Sequence, residues 1–393
     1  MKSSELIYLD NNATTRVDPA VVESMLPWLS TNYGNPSSVY RIGREANAAV
    51  EVAREQVADL LGCEPSEIVF TSCGSESINS AILSALAMDP DQTHVVTSAV
   101  EHSATMKLGE HLARRGHEIT WLSVDSDGRL DIAALADSIR DDTALVSLLW
   151  ANNETGVIFP IEEIVALCAE RKVHFHVDAV QAVGKVPVNL KNAGIHYLSL
   201  SGHKLHCPKG VGALYVNRKA RFAPWIRGSQ ENARRGGTQN VASVVGFGKA
   251  AELAKTHLDA EQLQVRALRD RFEEAMLERI PSTAVNGDRE NRLPNTTNLS
   301  FEGIESEAAL ILLDERRICC SAGSACSSGS VNPSHVLKAM GRTNEQARAS
   351  LRFSFGRFNT SDEVDIAVRE VESSVAKLRS LMPANASPVL VAG

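Results

Sequence analysis

Between residues 67 and 216, short β-rich runs alternate with longer helical patterns, and this alternation limits the fold more than any other property of the chain. Strands are expected at Glu67–Thr71, His94–Ala99, Ile119–Val124, Ala144–Trp150, Val173–Val177, His196–Leu200 and Gly212–Val216. Several are nearly continuous apolar runs, the pattern of strands covered on both faces. The clearest helix lies upstream at Ile42–Leu61. There Ile42, Ala46, Val50, Ala53, Val57 and Leu61 share one face at spacings of three and four. Strand–helix alternation on this scale predicts an α/β fold, doubly wound, with a mostly parallel sheet.

The texture changes after about residue 240. Long helical patterns cover Val241–Leu258 and Gln262–Ile280. They are followed by a strand at Thr296–Phe301, a helix near Glu305–Leu313, a Ser/Gly-rich stretch, a strand at Leu351–Phe355 and a helix over Ser361–Leu381. The expected organisation is a large α/β domain over residues 16–258. A smaller α+β domain would combine residues 1–15 with 259–393 and carry the small-residue loop at about 321–334.

Composition narrows the function classes. The chain has 393 residues, 44% of them hydrophobic and 22% charged, so a large folded core is expected. Its net charge is −8 with no basic stripe, which argues against nucleic acid as a partner. No apolar run approaches the length of a membrane span, and the N-terminus shows no secretory signal. The seven cysteines read as free thiols in a reducing compartment, and the expected location is the cytoplasm.

Five strand ends carry candidate chemistry. Asp178 follows a buried strand, at the edge where open α/β sheets bind ligands. Lys204 ends the next strand in Ser201-Gly202-His203-Lys204. Alone, Asp178 reads as a helix cap and Lys204 as a surface residue. Together, on neighbouring strand ends, they suit pyridoxal phosphate: the amine forms the Schiff base, and the carboxylate keeps the pyridine nitrogen protonated. The turn Ser72-Cys73-Gly74-Ser75 leads from a strand into a helix, an anion-binding arrangement. It is neither a dinucleotide fingerprint nor a P-loop. His102 follows a fourth strand, and Asn152-Asn153-Glu154-Thr155-Gly156 a fifth.

The segments YLDNNATT, GNPSS, EIVFTSCGSES, EHSA, WANNETG, HVDAVQAVGK, SLSGHKLHCPKGVG, RRGGTQN, LPNTTN, GSACSSGS, PSHVL and LRFSFGRF occur in order from Tyr8 to Phe358. This series resembles the cysteine desulfurases, the NifS/IscS group of class V aminotransferase-like enzymes. Its wording is closest to the nitrogen-fixation NifS type. The resemblance implies the type I pyridoxal-phosphate fold, with a seven-stranded sheet in the large domain. It makes Lys204 the Schiff-base lysine, Asp178 the partner of the ring nitrogen and His102 the ring-stacking residue. Gln181 and Asn153 would contact the ring oxygen and the substrate side. Gly74, Ser75, Ser201 and His203 would hold the phosphate. Thr238 would reach the phosphate of the other subunit of a homodimer, and Arg352 would bind the substrate carboxylate. By the same resemblance, L-cysteine is the substrate, L-alanine the product, and an iron–sulfur scaffold protein the sulfur acceptor.

Cys326 selects the reaction. It sits in Ser321–Ser330, a run too rich in small residues for a stable helix or strand. The resemblance makes it the cysteine that takes the sulfur as a persulfide. His102 is a candidate to deprotonate a thiol. The alternatives are a housekeeping desulfurase or selenocysteine lyase on the same fold and, from a different class, a metal-binding scaffold using Cys319, Cys320 and Cys326. Adjacent cysteines lack the usual metal-ligand spacing.

Overall fold

The computed structural model describes residues 6–322 and 333–381. Cys326 lies outside them. Its strands are β1 (Ile7–Tyr8), β2 (Ile68–Thr71), β3 (His94–Ser98), β4 (Glu118–Leu122), β5 (Thr143–Leu149), β6 (His174–Asp178), β7 (Tyr197–Ser201), β8 (Gly212–Val216), β9 (Thr283–Val285), β10 (Thr296–Phe301), β11 (Ile318–Cys319) and β12 (Ser350–Ser354).

Seven of these form one sheet in the order β2-β8-β7-β6-β5-β3-β4. All its pairings are parallel except those made by β8, which runs antiparallel to both β2 and β7. The seven expected strands are these seven, displaced by a residue or two at most. Strands β2, β3, β5, β7 and β8 are buried along their whole length and β6 at all but its first residue, as their apolar runs require. Because β2, β3, β5, β6 and β7 point the same way, their carboxyl ends gather along one edge.

A three-stranded antiparallel sheet, β12-β10-β9, lies beyond this sheet in sequence, and β1 pairs in parallel with β11. The two helical patterns expected at 241–258 and 262–280 run on as one helix, Val241–Arg279. Its residues 249–279 contain neither Gly nor Pro, so nothing breaks it at the polar stretch between the patterns. Its first half buries Val244, Phe247 and Ala251 in the core that covers the large sheet. Its second half buries Val265, Leu268, Phe272 and Met276 against the small sheet. The helix Arg41–Leu61 packs against the first half. Gly248 permits that approach, because a Cβ there would come within 2.6 Å of the Ala53 Cα. Among the described residues no helix is long and apolar enough to cross a membrane.

Candidate active site

A cavity of about 420 Å³ opens at the gathered strand ends. Each end contributes through the turn that follows it. Thr71, the last residue of β2, leads to Gly74 and Ser75, which begin the helix Gly74–Met88 two residues earlier than its apolar pattern suggests. No side chain caps that helix, so its first N–H groups stay available to an anion. A side chain at position 74 would meet Val180 at 2.9 Å, so glycine keeps the approach open. Beside it the Ser201 hydroxyl is buried without a hydrogen-bond partner. His203, two residues on, hydrogen-bonds the Thr14 hydroxyl through Nδ1 at 3.2 Å. Burial and the nearby Lys204 push this imidazole down to about 3, so it stays neutral.

Asp178 is the last residue of β6, registered between Leu149 and Ser199. Its carboxylate accepts a hydrogen bond from the Val180 backbone N–H at 3.0 Å, but the segment that follows is a turn rather than the helix a cap would need. Burial raises its pKa, while His102 and Lys204 pull the other way. Lys204 donates to the backbone oxygens of Asn12 at 2.5 Å and Ala13 at 2.8 Å. His102 caps the helix Ser103–Ala113, accepting the Ala104 N–H on Nδ1 at 3.1 Å. In its neutral form the ring proton therefore sits on Nε2. In that state Nε2 is a hydrogen-bond donor, and taking a thiol proton there requires the ring proton to move to Nδ1 at the expense of the Ala104 contact.

Chain segments from outside the large sheet close the other wall. Arg352, in β12, is 1% exposed. It donates to the Asn153 backbone oxygen at 2.9 Å and to the Asp10 carboxylate at 2.6 Å, while its Nε has no partner. Glu154 faces the same space. Burial raises its carboxyl, one oxygen accepts from Ser334 at 2.5 Å, and the other is unpartnered. Glu101, just before His102, is also fully buried and pushed up to about 8 by burial.

The cavity thus brings together Gly74, Ser75, His102, Asn153, Asp178, Gln181, Ser201, His203, Lys204 and Arg352. Thr238 is exposed and lines no part of it. Cys319 ends β11 and Cys320 follows it, and burial raises both thiols, which makes them poor nucleophiles. Sequence reasoning missed Asn12 and Glu154 as wall residues, and Asp10 and Lys185 as residues that hold the wall from behind. Asn12 is the junction. Its backbone oxygen accepts from Lys204 and Gln181, and its amide nitrogen donates to the Asn153 oxygen at 3.1 Å and the Thr296 hydroxyl at 2.8 Å. The polar run Asp10-Asn11-Asn12 was its signal, but the 191 residues from Ala13 to Lys204 hide the contact.

Chemically, the cavity offers an anion cradle at one end, an amine and a buried carboxylate in the middle, and a guanidinium at the other end. The chain is similar to known proteins along nearly its whole length. A curated cysteine desulfurase from Nostoc sp. is 52% identical over 379 residues, covering 96% of this chain and 95% of its own. Cysteine desulfurase NifS from Azotobacter vinelandii is 51% identical over 96% of this chain and 94% of its own. A solved structure described as a NifS-like protein superposes with a TM-score of 0.89 at 36% identity, over 95% of this chain and all of its own. Another, of SspA in complex with cysteine, gives 0.79 at 35% identity, over 90% of this chain and all of its own. The Aminotransferase class-V profile matches residues 7–366, and the chain belongs to that family.

Proposed function

We propose that this chain is a pyridoxal-phosphate-dependent cysteine desulfurase. The observation that carries the reading is the meeting of Lys204, Asp178, His102 and Arg352 in one cavity, in a chain about half identical to curated cysteine desulfurases. The residues present fit the cofactor. The orphaned Ser201 hydroxyl, the uncapped helix start at Gly74–Ser75 and His203 suit a phosphate. Buried Asp178 has no basic side chain hydrogen-bonded to it among the described residues, and a protonated ring nitrogen would complete it. Gln181, His102 and Asn153 complete the pocket, and Lys204 would hold the cofactor as a Schiff base. When bound, the cofactor supplies an electron-withdrawing ring that accepts the electron pair left at the substrate Cα.

The chain's own groups do the rest. Arg352 holds the carboxylate of L-cysteine, its planar fork matching two oxygens. Lys204 takes the Cα proton, held in reach by the backbone oxygens of Asn12 and Ala13. Cys326 attacks the substrate sulfur as a thiolate. The S–S bond forms, the Cβ–S bond breaks with its electron pair going to carbon, and a proton completes L-alanine. The sulfur remains on Cys326 as a persulfide. His102 is placed to exchange protons with the thiols through Nε2.

In this reading the protein works as a homodimer in the cytoplasm, and exposed Thr238 reaches the partner's cofactor phosphate. The persulfide passes to an iron–sulfur scaffold protein. The likeness to NifS, with the WANNETG and GSACSSGS wording, favours service to nitrogenase maturation. The test uses Cys326→Ala with L-cysteine and a thiol reductant. Sulfide and alanine release should fall at least about 100-fold, because no positioned thiolate remains. Substrate-induced changes in the visible spectrum should persist. Undiminished sulfide release would remove Cys326 from this role.

A further inference from the structure

Lys185 is a half-buried lysine for which neither the fold nor the proposed chemistry has accounted. It lies on the turn after β6, seven residues past Asp178. Among the described residues it forms no ion pair. Its Nζ donates to the Asn12 Oδ1 at 3.1 Å and to the Gln181 Oε1 at 2.5 Å. A neutral amine has two N–H groups, and these two acceptors use both. Burial, with the charges of Lys204 and Arg352 nearby, pushes Lys185 well below its ordinary value and favours that neutral form.

The contact settles a question that side-chain shape leaves open. The two ends of a Gln amide are nearly the same size, so only hydrogen bonds decide which end faces where. Gln181 Nε2 donates to the Asn12 backbone oxygen at 3.0 Å. Rotating the amide by half a turn would set its nitrogen against the Lys185 donor and its oxygen against the Asn12 oxygen. The two oxygens would then face each other, and the Lys185 N–H would lose its acceptor, in a site where Gln181 and Asn12 are buried. In the orientation observed, one Nε2 hydrogen goes to Asn12 and the second is left for a group in the cavity.

We propose that Lys185 is a positioning residue that fixes the rotation of the Gln181 amide, so that its NH₂ end, not its oxygen, meets the ring oxygen of the cofactor. The inference rests on the pyridoxal-phosphate reading above. Lys185 touches no reacting atom in it and acts through Gln181. The same amine, together with the Asn295 Nδ2 at 3.0 Å, also donates to the Asn12 Oδ1, whose amide nitrogen points to the Asn153 oxygen and Thr296.

A double-mutant cycle tests it, with cofactor affinity of the apoprotein and the pH midpoint of the visible band as readouts besides turnover. Lys185→Met should weaken pyridoxal phosphate binding roughly three- to tenfold, the scale of one lost hydrogen bond, and move the midpoint. In a Gln181→Met background the same change should add less than about twofold, because the amide it orients is gone. Full, independent effects in both backgrounds, or no effect of Lys185→Met in the wild type, would overturn the proposal. Gln181→Glu gives a second decision if Lys185→Met does not fold. It keeps an acceptor for Lys185 but offers the ring oxygen no N–H, so it should weaken binding at least as much; unchanged affinity would overturn the proposal. A wild-type protein with no borohydride-reducible band would instead bring down the cofactor reading itself.

Discussion

The two walls of the cavity are built by different rules. The strand-end wall takes Gly74, His102, Asn153, Asp178 and Lys204 from five turns, each within a few residues of its own strand. The opposite wall takes Asn12 and Arg352 from distant segments, held side chain to side chain by Thr296 and Asp10 across 284 and 342 residues. Position in the first wall follows from backbone topology, since a parallel sheet sends its carboxyl ends to one edge. Position in the second depends on hydrogen bonds that exist only after the chain has folded. The first wall is therefore expected to tolerate side-chain loss without moving, and the second to loosen when one contact is removed.

The largest effect should come from the first wall. In the proposed reaction Lys204→Ala removes both the Schiff-base amine and the proton acceptor, so the reducible visible band and L-alanine formation should both vanish. Circular dichroism should be unchanged. Alanine formation at wild-type rate would break the comparison at its centre. Asp178→Ala should lower Cα-proton exchange on the order of 100-fold by removing the charge that stabilises a protonated ring nitrogen, while the reducible band remains. Equal exchange rates would give Asp178 another task.

A change in the second wall should separate binding from chemistry. Arg352→Lys keeps the charge but loses the fork, so KM for L-cysteine should rise about 10- to 100-fold with the visible band intact. A fall in kcat with unchanged KM would show that Arg352 serves the reaction instead. Melting by differential scanning calorimetry would also sharpen the contrast, since the Asp10–Arg352 pair is lost or strained in this variant.

The smallest effect concerns pH. His176, on β6 beneath Asp178, is fully buried between the Ser147 and Ser199 hydroxyls at 2.8 Å each, and burial pushes it down to about 3. Its folded pKa lies below its unfolded value near 6.5. The unfolded chain therefore binds more protons between those values, and stability present above pH 6.5 is lost as pH falls toward 3. His176→Gln should flatten the fall in melting temperature between pH 6.5 and 4. An unchanged slope would place the acid sensitivity elsewhere, for example at His196 or His206, both pushed down to about 4.

The same contrast explains what the sequence made legible. The seven strands and the strand-end residues could be read because apolar runs and the turns after them are local. Motif resemblance added Arg352 and Gln181, which no local rule would have singled out. Asn12 and Asp10 escaped because their partners lie in other segments. Lys185 escaped because an isolated lysine in a turn reads as a surface residue, and only burial between two amide oxygens distinguishes it. The join at residues 259–261 was misread because a polar stretch interrupts the apolar face without interrupting the helix.

That uninterrupted helix, Val241–Arg279, spans about 58 Å at 1.5 Å per residue. One end is buried under the large sheet and the other under the small one. It works as the fixed jaw of a calliper. To widen the gap between Lys204 and Arg352, the rod would have to bend at its middle, or one end would have to be pulled from its core. The aperture offered to an amino acid is thus a set dimension of the scaffold.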